Sequence, residues 1–109
     1  MTQYSVFLVA EAEEDIFAIY NYVARYVSVE HADNFFSNLQ NTITSLDQQP
    51  QRGHFPSELE RIDVYEFREI PYKPYRVIYQ IMGEDVFVHC VLHGRRELQE
   101  LLQQRLLRQ

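Results

Sequence analysis

A chain of 109 residues with a single cysteine, Cys90, cannot close an internal disulfide and has no cysteine pair to offer a metal. Its apolar residues never run to the ~18 that a membrane-spanning helix requires, and no basic region followed by an apolar stretch opens it. Neither an anchor nor a secretory leader is therefore expected, and the cytoplasm is the natural compartment. Lysine is nearly missing: Lys73 stands alone, and arginine supplies the other positive charges. With a net charge of -6, the chain lacks the cationic excess that coats nucleic acid indiscriminately. Arginine still holds carboxylate or phosphate in a two-pronged geometry, which leaves room for a local anion site on an acidic protein. No glycine-rich phosphate loop, internal repeat or low-complexity tract is present. These exclusions leave one small domain spanning 1–109, with Cys90 read as a buried hydrophobe.

What the chain does have is alternation. Tyr4 to Val9 is short, β-branched and aromatic, and predicts a first strand at the sheet edge or beside the last strand. Glu11, Glu13, Glu14 and Asp15 then crowd the start of a helix, where the positive end of its dipole accounts for acids without a metal site. Ile16, Ile19, Tyr20 and Val23 continue it at helical spacing. Ser28 is an N-cap for a second helix whose stripe is Ala32, Phe35, Phe36, Leu39, Ile43 and Leu46. The short connection predicts an antiparallel hairpin laid on a sheet. A loop marked by Pro50, Gly53 and Pro56 follows, with Arg52 and His54 beside the glycine.

Three runs then form an antiparallel meander: Ile62 to Glu69, ending at Pro71 and Pro74; Tyr75 to Met82, closing on Gly83-Glu84-Asp85; and Val86 to Leu92. Side chains alternate between faces along a strand. Val77, Tyr79, Val86, Val88, Cys90 and Leu92 are accordingly expected on a core face, and Glu66, Arg68, Arg76, Gln80 and His89 together on the other. Leu98, Leu101, Leu102 and Leu106 mark a C-terminal helix. The fold class is α+β: an N-terminal strand, an antiparallel helical hairpin, and a three-stranded antiparallel meander completing a four-stranded sheet. The C-terminal helix is expected at an edge or protruding.

Catalytic triads find no support, because Cys90 faces the core and no serine lies near His89 or His93. Those histidines, four apart on one strand face, would stand ~13 Å apart at ~3.3 Å per residue, too far to share a metal. What remains is arginine with nearby histidine and glutamate. Such a set serves metal-free cleavage of RNA, with Glu66 or His93 as base and Arg68, Arg76 and Arg96 stabilising the phosphorane. On residue types alone, pairing of the same arginines with the carboxylates of this acidic chain or of a partner is the simpler account.

The order of elements, with EFREI at 66–70, YRVIYQI at 75–81 and VLHGRREL at 91–98, resembles the RelE/ParE superfamily of bacterial type II toxins over essentially the whole chain. The long hairpin followed by Pro50, Arg52-Gly53, Pro56 and Glu58-Leu59 is similar to the ParE and plasmid-stabilisation branch. That branch implies a toxin that poisons DNA gyrase without being a nuclease, neutralised by a cognate antitoxin. No cofactor, metal or membrane is implied, and a homodimer is compatible with the resemblance. On this reading Arg68, Arg76, Arg95, Arg96, Arg105 and Arg108 are the residues expected to meet a target or partner. The RelE branch would instead imply messenger cleavage on the ribosome, with Arg68, Arg76, Arg96, His93 and Glu66 as its catalytic set. Two departures stand against it: Glu66 occupies the place of an active-site lysine, and Leu102 falls about where RelE has a tyrosine. A third alternative is a decayed toxin or a partner-binding module without catalysis.

Overall fold

The structure, a computed structural model, describes residues 3–107. Strand β1 (Ser5–Leu8) leads into helices α1 (Ala10–Tyr26) and α2 (Val29–Thr44). Two single 3₁₀ turns, Ser45–Asp47 and Pro50–Arg52, and a short helix α3 (Ser57–Glu60) follow. Strands β2 (Arg68–Tyr72), β3 (Tyr75–Met82) and β4 (Asp85–His93) and helix α4 (Leu98–Leu107) complete the order. The sheet runs β1-β4-β3-β2, antiparallel except that β1 lies parallel to β4.

The helix boundaries have local causes. The Ser28 side chain accepts the His31 backbone N–H at 3.0 Å, which satisfies one of the orphan donors at the start of α2. At the other end Arg52 donates to the carbonyls of Ser45 and Gln48 at 3.1 and 3.2 Å, so the 3₁₀ turns close back on the helix they follow. The β3–β4 turn begins at Gly83 with φ +64°, a left-handed conformation that glycine adopts without steric cost.

Strand β3 has the expected limits, whereas β2 does not. Ile62 to Phe67 forms a turn and an irregular approach, and the strand starts only at Arg68 and runs through Pro71. Proline is tolerated there because β2 is an edge strand. Its outer rim is partly covered by a bridge in which His54 and Glu69 exchange backbone hydrogen bonds at 3.1 and 2.7 Å.

A β-bulge changes the faces of β4. Tyr79 pairs with Val88 and Ile78 with Cys90, so His89 is an extra residue opposite no partner. Beyond it the parity flips. Val86, Val88 and Val91 join Val77, Tyr79 and Ile70 under the hairpin, where Ala12, Ile16, Leu39, Ile43 and Leu46 cover them. Cys90 and Leu92 turn to the opposite face with Ile78, and there Leu59, Leu98, Leu101 and Leu102 form a second core. The expected grouping of Cys90 and Leu92 with Val86 and Val88 is thus corrected, although Cys90 is buried as predicted. Burial pushes its thiol up to about 12, which leaves it protonated. Helix α4 neither protrudes nor sits at an edge. It roofs the second face, because a sheet apolar on both sides needs a layer on each.

Candidate functional site

Arg76 rises from the start of β3, one residue after Tyr75, into the space between β2, α3 and α4. Its Nε and NH2 donate to Glu69 at 2.8 and 2.9 Å, and its NH1 and NH2 donate to Glu58 at 2.9 and 2.7 Å. Two carboxylates therefore hold four of the roughly five N–H donors a guanidinium carries, each in the parallel two-bond geometry. The ensemble is secluded, with side-chain exposures of 13% for Arg76, 8% for Glu69 and 22% for Glu58. Hydrogen bonding from Arg76 holds the Glu58 carboxyl below its ordinary range, and the carboxylates of Glu69 and Glu58 in turn raise the arginine further. His54 reaches the rim of this cluster, its Nε2 3.4 Å from Glu69.

The other sequence candidates do not gather around Arg76. Register places Arg68 opposite Tyr79, on the hairpin face. There it donates to the carbonyls of Gln51 and Gly53 at 3.1 and 2.9 Å and lies over the Phe55 ring at 4.6 Å. Glu66 is exposed and precedes β2. The expectation that Glu66, Arg68, Arg76, Gln80 and His89 share one face is corrected for Glu66, which precedes the strand, and for Arg68, which parity separates from Arg76; Arg76 and Gln80 keep a common face. His89 and His93 also part company. The bulge turns His89 toward Gln80 at 3.1 Å and the edge of Phe67, whereas His93 stands against Tyr75 on the hairpin side. Arg95 and Arg96 are exposed in the turn after β4. Arg108 lies outside the described residues. Among the described residues no group of three His, Cys, Asp or Glu side chains is arranged to hold a metal ion, and no helix is long and apolar enough to cross a membrane.

Arg105 has an internal role that joins three elements. It donates to Asp15 at 2.6 Å and to the His89 carbonyl at 2.9 Å, and Asp15 also accepts the Val91 backbone N–H at 3.0 Å. Strand β1 ends at Leu8, opposite Val88. Asp15 thus receives the N–H that a longer β1 would have taken, and Arg105 ties α4 to that carboxylate. Sequence reasoning assigned Asp15 to the helix dipole and missed this. The signal was available: Asp15 falls at helical spacing with Ala12, Ile16 and Ile19, an acid on the buried stripe.

An open apolar feature lies elsewhere. Between β1 and the hairpin, two adjoining depressions of about 390 and 430 Å³ share Leu8, Ile16 and Phe36. Phe36 and Phe17 are left 45% and 66% exposed beside them, which is a large apolar area for a surface without a partner. The rim is acidic, with Glu13, Asp33 and Asp47. By contrast, Leu98, Leu101 and Leu102 of α4 are buried against the sheet and offer no leucine face to another protein.

Comparison with known proteins agrees with this architecture. Residues 6–98 match the family described as the ParE toxin of type II toxin-antitoxin system, parDE. The fold is similar to that of a chain from the chromosomal ParDE toxin-antitoxin system of P. aeruginosa, with a TM-score of 0.70 at 16% identity, covering 84% of this chain and 96% of that one. A chain of the toxin-antitoxin complex RelBE2 from Mycobacterium tuberculosis gives a TM-score of 0.59 at 18% identity, covering 88% and 97%. No curated protein matches in sequence.

Proposed function

The chain belongs to the ParE toxin family of type II toxin-antitoxin systems, and from that premise we propose that it arrests growth by poisoning DNA gyrase, without cleaving RNA, and that a cognate antitoxin neutralises it. The state of Arg76 carries this reading. A ribonuclease needs a guanidinium open to the phosphorane, yet four donors of Arg76 are committed to Glu58 and Glu69. Two carboxylates at that spot would also repel the scissile phosphate. Arg68 cannot assist from the opposite face. A target-binding protein needs none of this machinery, only exposed side chains, of which Arg95 and Arg96 are the best placed.

The antitoxin reading rests on the groove beside β1. An open strand edge next to an apolar trough suits an extended segment continued as an amphipathic helix. The acidic rim of Glu13, Asp33 and Asp47 favours basic residues flanking that helix. Of the arginines named for target or partner contact, Arg68 and Arg76 are already occupied by the chain's own carbonyls and carboxylates, whereas Arg96 is exposed.

The purified chain is to be assayed in parallel for gyrase supercoiling with trapped DNA breaks and for cleavage of messenger on translating ribosomes. The reading predicts gyrase inhibition with trapped breaks and intact messenger. Codon-dependent cuts without gyrase inhibition would reverse it. Coexpression with the product of the adjacent reading frame should restore growth, and Phe36→Glu should abolish copurification of the two.

A further inference from the structure

The cations left without an internal partner are not spread evenly. Arg52, Arg68, Arg76 and Arg105 are spent on carbonyls and carboxylates within the fold. Arg25, Arg61, Lys73, Arg95 and Arg96 make no ion pair with the described residues and are exposed. Four of these five stand at one end of the molecule, where the tip of the hairpin meets the β2–β3 turn and the end of β4.

Aromatic contacts connect them. Arg25 lies over the Tyr26 ring at 5.7 Å, and Tyr26 meets Tyr22 at 4.8 Å between centroids. Phe35 of the same hairpin meets the Tyr75 ring at 5.4 Å between centroids, and the nearby Tyr22 adds to the upward shift that burial imposes on the Tyr75 phenol. Tyr75 stands against His93 at 6.0 Å, the Gly94 N–H binds the Pro74 carbonyl at 2.9 Å, and Arg95 and Arg96 follow directly. Lys73 precedes that proline. Tyr22 and Tyr26 are 63% and 66% exposed although they belong to a helix with a buried stripe on its other side. Neither ring contributes to a core. The acids adjacent in the chain are Glu30 and Glu97, so the end remains cationic on a protein of net charge -6.

Rings open to solvent and interleaved with cations are the elements of a single-strand nucleic-acid platform, in which bases stack on the rings and phosphates meet the charges. An acidic peptide would be served by the charges alone and would leave the tyrosines unexplained. We propose that this pole, centred on Tyr22, Tyr26, Arg95 and Arg96, binds single-stranded DNA. The choice of DNA over RNA rests on the gyrase reading; the stacking and charge argument does not.

The test uses the purified chain and a short fluorescent oligothymidylate, with no gyrase present. Saturable binding is expected, with log K falling against log salt at a slope of about -2.8 for four neutralised phosphates. Tyr22→Ala/Tyr26→Ala should weaken binding by about tenfold or more with little change in slope. Arg95→Ser/Arg96→Ser, which alters only exposed turn residues, should reduce the slope by about 1.4. Both variants are to be checked for unchanged thermal unfolding, and the second keeps the proposal open to test if the first is unstable. Absence of binding at low salt, equal capture of polyglutamate, or tighter binding of oligouridylate would each overturn the proposal. Failure in the gyrase assay with oligothymidylate binding intact would instead count against the proposed function and leave this site standing.

Discussion

Replacing Arg76 by alanine removes the cation that bridges Glu58 and Glu69. Glu69, with a side chain 8% exposed, would then be a buried carboxylate facing a second one, with little water to compensate for the lost partner. Breaking a buried ion pair from one side costs about 3–5 kcal/mol, because the remaining charge is left unpaired. At ~2.1 cal/mol/K per residue, the unfolding entropy of a chain this long is about 0.23 kcal/mol/K, so Tm should fall by roughly 13–22 °C. Thermal unfolding followed by circular dichroism reads this directly. The pH dependence adds a second signature, since protonating the stranded carboxylates relieves the penalty; the deficit should be largest near neutrality and shrink in mild acid. A Tm within about 3 °C of the parent would refute the reasoning and return Arg76 to the pool of free functional residues. A consequence for assays follows: loss of toxicity in Arg76→Ala alone is no sign of catalysis.

Three further outcomes are expected. His89 is held below its ordinary value of 6.5 by burial first and by the charge of Arg105, and Glu58 lies below its ordinary 4.5 chiefly through the hydrogen bond from Arg76. In both cases the unfolded chain takes up the proton first, so stability is full above pH 6.5, declines below it as His89 is drawn to its charged form, and falls again below 4.5; denaturant titrations across pH check this, and His89→Gln should remove the upper decline. Asp15→Ala deprives the Val91 N–H of its acceptor and Arg105 of its carboxylate partner and should cost about 3 kcal/mol, with amide exchange rising first in α4. Gly53→Ala would drive a methyl into the Tyr79 hydroxyl and the Glu69 carbonyl, so it should destabilise by about 2 kcal/mol or more, whereas Gly83→Ala meets open space and pays only for its positive φ.

Most of the architecture was legible because its signals are local. Strand β3 reads from Tyr75 to Met82 through strict alternation, and Ser28 announces α2 by its side chain alone. The errors begin where a local rule is broken by tertiary structure. Nothing in the period of β4 marks His89 as an inserted residue, and one bulge exchanged Cys90 and Leu92 for Val91 on the core face. The apolar character of Cys90, Val91 and Leu92 in succession did hint at a strand covered on both sides, and the leucines of α4 required such a face. The arginines were misgrouped for the same reason. Face assignments for Arg68 and Arg76 depend on where β2 starts, and their partners Gln51, Gly53, Glu58 and Glu69 come from a loop, the short helix α3 and a strand whose positions no spacing encodes. Residue types suggested an anion site; the fold has instead closed Arg76 and Arg105 on internal acids and Arg52 and Arg68 on carbonyls.

The central claim, that Arg76 is structural and toxicity is not catalytic, is tested most directly by neutralising the whole cluster at once. Glu58→Gln/Glu69→Gln/Arg76→Met keeps the volumes near those present and leaves no charge unpaired, so the fold should survive where the single Arg76→Ala variant suffers. In the supercoiling assay with trapped DNA breaks, the triple variant is predicted to inhibit gyrase to within about threefold of the parent, a margin far inside the ~10²–10³ that loss of a catalytic electrostatic group produces. A folded triple variant that has lost growth inhibition by that larger factor, alongside a parent chain that cuts messenger on ribosomes, would contradict the account.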